Sequence, residues 1–169
     1  MTLRPPVFLG LGSNLGDREK NLARGLELLE GRGFSVTARS ALYETEPVGG
    51  PPQGPNLNQV VRGETDLRPE ALLAECLHVE ALLGRVRRER LGPRTLDIDI
   101  LLYGDLVQDA PRLEIPHPRL HERLFVLIPL AEVGGDVIHP RLGVTIATLR
   151  ARCPDRSSVA LYASAEAPS

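Results

Sequence analysis

Lysine is almost missing from this chain: of 20 Lys and Arg residues, only Lys20 is a lysine. Schiff-base and pyridoxal chemistry therefore has a single candidate amine. The phosphate-binding loop GxxxxGKS/T does not occur, so a phosphate site must rest on arginine, metal and backbone donors. Tryptophan is absent and aromatics make up 4% of the residues, which leaves Leu, Val, Ile and Ala to build the core. No HExxH occurs, and Cys76 and Cys153 match no zinc pattern; two isolated cysteines suit a reducing cytosol rather than a disulfide framework. The apolar run Val7–Leu11 is too short and glycine-rich for a membrane span or a signal sequence. A net charge of −2 lacks the basic excess of a nucleic-acid binder. What remains is a soluble, cytoplasmic globular protein, expected to be a monomer that binds neither nucleic acid nor membrane.

The 169 residues suit one domain over 1–160 with a small polar tail, 161–169, expected to fray. Val7–Gly12 reads as a buried strand ending in a Gly-Ser-Asn turn. Asp17 is a fitting N-cap for a helix with Leu22, Leu26 and Leu29 on one face, ended by Gly31 and Gly33. Phe34–Thr45 is β-rich. Glu46–Pro55 holds four prolines and three glycines and reads as a loop. A strand over Leu57–Glu64 precedes a helix opened by Pro69, with Leu72, Cys76, Val79 and Leu83 in register and Gly84 at its end. A charged loop, Arg85–Thr95, leads to a strand over Leu96–Tyr103, and a short apolar helix is expected around Phe125–Val133. This order predicts an α+β sandwich with helices on one face of a mainly antiparallel sheet. His117-Pro118-Arg119-Leu120 recurs at 139–142 without matching flanks, which reads as coincidence.

The densest chemical signal is the run from Gly84 to Ile100. On a strand, Asp97 and Asp99 share one face and Leu96, Ile98 and Ile100 the other. Their bases stand about 7 Å apart, and leaning together they could hold metal ions spaced about 3.5–4 Å, as in phosphoryl transfer. A solvated sheet face has the same spacing. The adjoining loop favours chemistry: Arg85, Arg87, Arg88, Arg90 and Arg94 stand against Glu89 alone. Carboxylates bind Mg²⁺, Mg²⁺ bridges phosphate oxygens, and guanidinium groups bind the others. The GxG of Gly10-Leu11-Gly12 is no dinucleotide fingerprint, because Leu15 stands where the third glycine belongs. His117 and His121 are four apart, but Pro118 between them spoils a helical zinc pair.

Phe8–Gly16, Tyr43–Gly49, Asn56-Leu57-Asn58, Gly92-Pro93-Arg94-Thr95-Leu96-Asp97-Ile98-Asp99-Ile100, Ile115–Leu120 and Arg123–Leu127 together resemble the 6-hydroxymethyl-7,8-dihydropterin pyrophosphokinase family, in family order over residues 6–150. The resemblance implies a ferredoxin-like α+β fold and transfer of the β,γ-diphosphate of ATP to the pterin hydroxymethyl oxygen, releasing AMP, in folate biosynthesis. It implies two Mg²⁺ ions on Asp97 and Asp99. It implies triphosphate contacts and charge stabilisation from Arg85 and Arg94 with Arg87 and Arg90, and nucleotide contacts from His117, Arg123 and Glu80. On the pterin side it implies Thr45, Val48, Asn56 and Asn58, with Phe125 stacked on the ring. Two positions depart from the family: Asn56 and Leu91 stand where an aromatic is common, which bears on two-sided stacking and on closure of the arginine loop.

Two other readings use the same residues. A magnesium phosphotransferase acting on another small alcohol needs the same acids and arginines, and substrate competition separates it. An RNA-binding module on the same sandwich needs aromatic strand positions that neither Leu57–Glu64 nor Leu96–Tyr103 supplies.

Overall fold

The computed structural model describes residues 4–46, 53–84 and 95–163. In chain order these form β1 (Val7–Ser13), α1 (Arg18–Glu30), β2 (Phe34–Arg39), β3 (Leu42–Thr45), β4 (Asn56–Thr65), α2 (Pro69–Leu82), β5 (Asp97–Tyr103), β6 (Gln108–Ala110), β7 (Leu113–Ile115), a 3-10 turn at Leu120–Glu122, α3 (Leu124–Gly134), α4 (Ile146–Arg152) and β8 (Val159–Ala163). The main sheet runs β5-β1-β4-β3-β8, with β2 also on β4, and each pairing is antiparallel.

Local chemistry sets these boundaries. The Asp17 carboxylate accepts from the Lys20 N–H at 3.2 Å and starts α1. Pro69 takes the first position of α2, where its missing N–H costs nothing. Gly84, at φ 81°, turns the chain out of that helix. The stretch expected as one β-rich segment divides at Ser40, whose N–H donates to the Val60 carbonyl at 2.9 Å while its Oγ accepts from the Val60 N–H at 3.0 Å. The serine side chain thus carries the ladder across the bend. With β2 and β3 counted as halves of one strand, the order is that of the β-α-β-β-α-β sandwich.

The core has two layers. Val7, Leu9 and Leu11 of β1 and Ile98 and Ile100 of β5 pack against Leu22, Leu26 and Leu29 of α1 and Leu72, Cys76 and Val79 of α2. On the opposite face Phe8, Val60, Leu101 and Leu102 pack against Leu127 and Leu130 of α3 and Ile146 of α4. Each fully buried leucine contributes about 2 kcal/mol of transfer free energy. A bulge serves both layers: Phe8 pairs with Leu102 and Leu9 with Ile100, so Leu101 is the extra residue and both leucines reach the second core.

Three features correct the sequence expectation. Helices cover both faces of the sheet, because α3 is apolar on nearly all sides and needs the second face to bury it. The β6–β7 hairpin stands as a separate pair beside β5. Leu161–Ala163, expected to fray, end β8 and pair with β3. Residues 164–169 lie outside the described residues.

Candidate functional site

Because α3 and α4 reach only part of the second face, the remainder is left to the site. Across it the registers run Asp97↔Gly12↔Asn58 and Asp99↔Gly10↔Val60. Asp97 is half-buried and Asp99 exposed, while Ile98 and Ile100 are buried on the far side, as the strand alternation predicts. The acid pair and Asn58 thus share one face, two strands and about 10 Å apart. The strand between them shows only glycine at this point. A Cβ on Gly12 would lie 3.3 Å from Asn58 Oδ1, tighter than ordinary packing allows.

On the far side of the glycines, Asn58 is 9% exposed, and its Nδ2 donates to Thr45 Oγ1 at 2.9 Å. Thr45 pairs with Asn56 across the β3–β4 ladder, so the expected pterin-side residues Thr45, Asn56 and Asn58 do come together. Phe125, half-buried in the first turn of α3, carries the Arg123 guanidinium 5.6 Å from its ring centroid.

On the acid side, burial and the neighbouring cation Arg119 lower the Arg123 pKa, while Asp99 acts to raise it. The guanidinium remains a permanent cation. His117 is anchored by its N–H to the Leu101 carbonyl at 3.0 Å, and its Nδ1 accepts from the Arg119 N–H at 3.2 Å. Burial first, then Arg123 and Arg119, lower its pKa. The imidazole is therefore neutral with its proton on Nε2, a donor and not a cation. His139 accepts from the Arg141 N–H at 3.2 Å in the same way, so the two His-Pro-Arg-Leu quartets share a local turn.

Glu80 is placed differently from the other expected nucleotide contacts. It is 3% exposed, and its Oε2 accepts from the Ile98 N–H at 2.7 Å, covering the outer edge of β5. Cys76 beside it has its thiol pushed up to about 12, by burial first and then by Glu80, so it serves packing and not nucleophilic chemistry.

A cavity of about 260 Å³ opens at that same edge, lined by Leu73, Asp99, Ile100, Arg112, Glu114 and His117 among others. Arg112 and Glu114 were missed from the sequence. The signal was present in the alternation of Leu113, Glu114 and Ile115 after a Pro111-Arg112 turn, but the strands are three residues each. Arg85, Arg87, Arg90, Arg94, Val48 and Leu91 lie outside the described residues.

Among the described residues no cluster of three or more His, Cys, Asp or Glu could hold a metal unaided. Asp97 and Asp99 nonetheless fit magnesium, which is commonly held by one or two carboxylates with substrate phosphates and water completing its shell. Among the described residues no helix is long and apolar enough to cross a membrane.

Comparison with known proteins places the chain in a family. The family model of 7,8-dihydro-6-hydroxymethylpterin-pyrophosphokinase (HPPK) matches residues 8–135. The 2-amino-4-hydroxy-6-hydroxymethyldihydropteridine pyrophosphokinase of Methylorubrum extorquens is 48% identical over 133 residues, 78% of this chain and 84% of that protein. The Bacillus subtilis protein of the same name is 46% identical over 132 residues, 78% and 79% of the two chains. Among solved structures, a Plasmodium falciparum HPPK-DHPS triple mutant superposes with TM-score 0.70 at 17% identity, covering 89% of this chain and 44% of that longer one. At that identity the likeness speaks for the fold alone. The chain belongs to the 7,8-dihydro-6-hydroxymethylpterin-pyrophosphokinase family.

Proposed function

We propose that the two halves of the open face divide the substrates of this family's reaction between them. The chain is an ATP-dependent diphosphotransferase of folate synthesis acting on 6-hydroxymethyl-7,8-dihydropterin. The observation that carries the division is the line Asp97–Gly12–Asn58 across three neighbouring strands.

The nucleotide base takes the cavity at the β5 edge. With the Ile98 N–H turned out to Glu80, antiparallel alternation turns the Ile100 N–H and C=O outward as well, toward a base. Glu80 acts here through the strand it straightens. The phosphates then run toward Asp97 and Asp99, with the Arg123 guanidinium and the His117 Nε2–H as donors. Asp97 and Asp99 would hold magnesium, two ions in our reading; when bound, it neutralises phosphate charge. Arg85, Arg87, Arg90 and Arg94 reach the triphosphate by the family resemblance, and stabilise charge developing on the transferred group.

The pterin lies against Asn58. An amide offers both donors and an acceptor, which suits a ring edge that alternates the two. The Asn58–Thr45 bond fixes which way that amide faces. Phe125 supplies one stacking face, Val48 a contact from the adjoining segment, and Asn56 a polar contact in place of a second aromatic. The pterin hydroxymethyl oxygen is the nucleophile: it bonds to the β-phosphorus and gives up its proton to solvent, the bond from that phosphorus to the α-phosphate oxygen breaks, and AMP leaves with that oxygen. No protein nucleophile is needed, so positioning and charge do most of the work.

A monomer is the working unit in this reading, and two free buried cysteines support a reducing, cytoplasmic setting. The test is product identity. Incubation with magnesium, ATP and the hydroxymethyl pterin should yield AMP and the pterin diphosphate in equal amounts; ADP in place of AMP would overturn diphosphate transfer.

A further inference from the structure

The first residue of α1 is an arginine, and a cation there opposes the helix dipole. Its partners explain it. One terminal nitrogen of Arg18 meets Glu44 Oε2 at 2.7 Å, and the other donates to the Pro55 carbonyl at 3.0 Å. Glu44 and Pro55 lie on either side of the connection between β3 and β4: Thr45, the last residue of β3, follows the first, and Asn56, the first residue of β4, follows the second. The Arg18 side chain is 21% exposed, which shields the pair from solvent screening. The Tyr162 ring of β8 stands 5.3 Å from the guanidinium carbon. A second tie runs parallel, from Asn14 Nδ2 to Gln53 Oε1. Asn14 belongs to the β1–α1 turn, which Asn21 steadies by donating to the Leu15 carbonyl at 2.8 Å.

We infer that Arg18 is a positioning residue for the pterin half of the site: its guanidinium fork holds Glu44 and the Pro55 carbonyl at a fixed separation, and so keeps Thr45, Asn56 and Asn58 in their register. The inference rests on the assignment of that half to the pterin. A planar fork with two parallel donors is what two acceptors on opposite ends of a segment require, and a lysine ammonium offers no such geometry. An ordinary surface ion pair would leave substrate affinity untouched. Arg18 touches neither substrate in this arrangement, so its loss should be felt through the residues it holds.

The experiment titrates pterin, in the presence of magnesium and a non-hydrolysable ATP analogue, into wild type, Arg18→Ala, Arg18→Lys and Glu44→Gln, with the nucleotide titrated separately and kcat and KM measured for each. The pterin Kd and KM should rise about ten-fold in Arg18→Ala, the loss of one charge-assisted bond, and by a smaller factor in Arg18→Lys. Nucleotide Kd should stay within two-fold, as should kcat at saturating pterin. Arg18→Ala should also cost less in a Glu44→Gln background than alone. A pterin KM within two-fold of wild type in Arg18→Ala would overturn the inference, as would an equal rise in nucleotide Kd, the mark of general loosening. If Arg18→Ala fails to fold, the same criteria apply to Arg18→Lys and Glu44→Gln. Wild type that binds no pterin would overturn the underlying assignment as well, and so the two failures are distinct.

Discussion

Asn58 Nδ2 donates to Thr45 Oγ1 at 2.9 Å, in a part of the sheet where both side chains are buried. The bond joins β3 to β4 and also commits the amide to one orientation, leaving its carbonyl on the Gly12 side. Thr45→Val keeps the shape and removes the acceptor. Pterin KM should rise about five- to ten-fold, the worth of about 1 kcal/mol of hydrogen bonding. Asn58→Asp should cost more, because it replaces two donors by a carboxylate in a buried place. Steady-state kinetics at saturating ATP reads both, and unchanged KM in Asn58→Asp would remove the residue from the pterin site.

Gly12 provides a second, purely steric test. A Cβ there meets Asn58 Oδ1 at 3.3 Å, and a larger side chain would stand between the acid pair and Asn58. Gly12→Val should abolish most turnover while nucleotide binding, centred at the β5 edge, persists. Gly12→Ala should fall between. Turnover in Gly12→Val within about two-fold of wild type would show that the substrates do not meet over β1.

Asp97→Ala and Asp99→Ala should each lower kcat by about a hundred- to a thousand-fold, the scale of losing preorganised charge at a reacting phosphate. Thermal stability should change little, since Asp99 is exposed and Asp97 half-buried. Chelation of divalent metal should silence wild type, and added magnesium should restore it. Near-native turnover of either variant at saturating magnesium would contradict the assignment.

His117 makes a pH prediction. Burial, with Arg123 and Arg119 nearby, lowers its folded pKa below the ordinary 6.5, and burial does the same to His139. A depressed folded pKa means that the unfolded chain binds the extra proton first. Stability is therefore present above about pH 6.5 and is lost as pH falls through the folded values. Melting temperature should drop on acidification across that window, and the drop should be shallower in His117→Gln. As a neutral donor, His117 should also leave nucleotide affinity flat between pH 7 and 8. An affinity that falls over that range in wild type but not in His117→Gln would point to a histidine cation instead.

Much of this was legible in the sequence where local chemistry decides. The Asp97–Asp99 alternation, the Asp17 cap and the Pro69 start each depend on neighbours a few residues away, and each is observed. The β6–β7 hairpin was not legible, because strands of three residues give too short a period to separate from turns. For the same reason the cavity liners Arg112 and Glu114 stayed hidden: only the hairpin's packing beside β5 brings them to Asp99 and His117. The end of β8, Leu161–Ala163, reads as tail because the C-terminal stretch is mostly small and polar, and its place in the sheet comes only from pairing with β3. The Arg18 contacts bridge α1, β3 and the start of β4, separations that no local pattern reports.

The most direct measurement is a crystal structure with magnesium, a non-hydrolysable ATP analogue and the hydroxymethyl pterin bound together. The account predicts metal on the Asp97 and Asp99 carboxylates, the base in the β5-edge cavity beside His117, and the pterin edge against the Asn58 amide, with the hydroxymethyl oxygen over Gly12 facing the β-phosphorus. A pterin bound away from Asn58, or phosphates lying on a face other than that of Asp97 and Asp99, would contradict it.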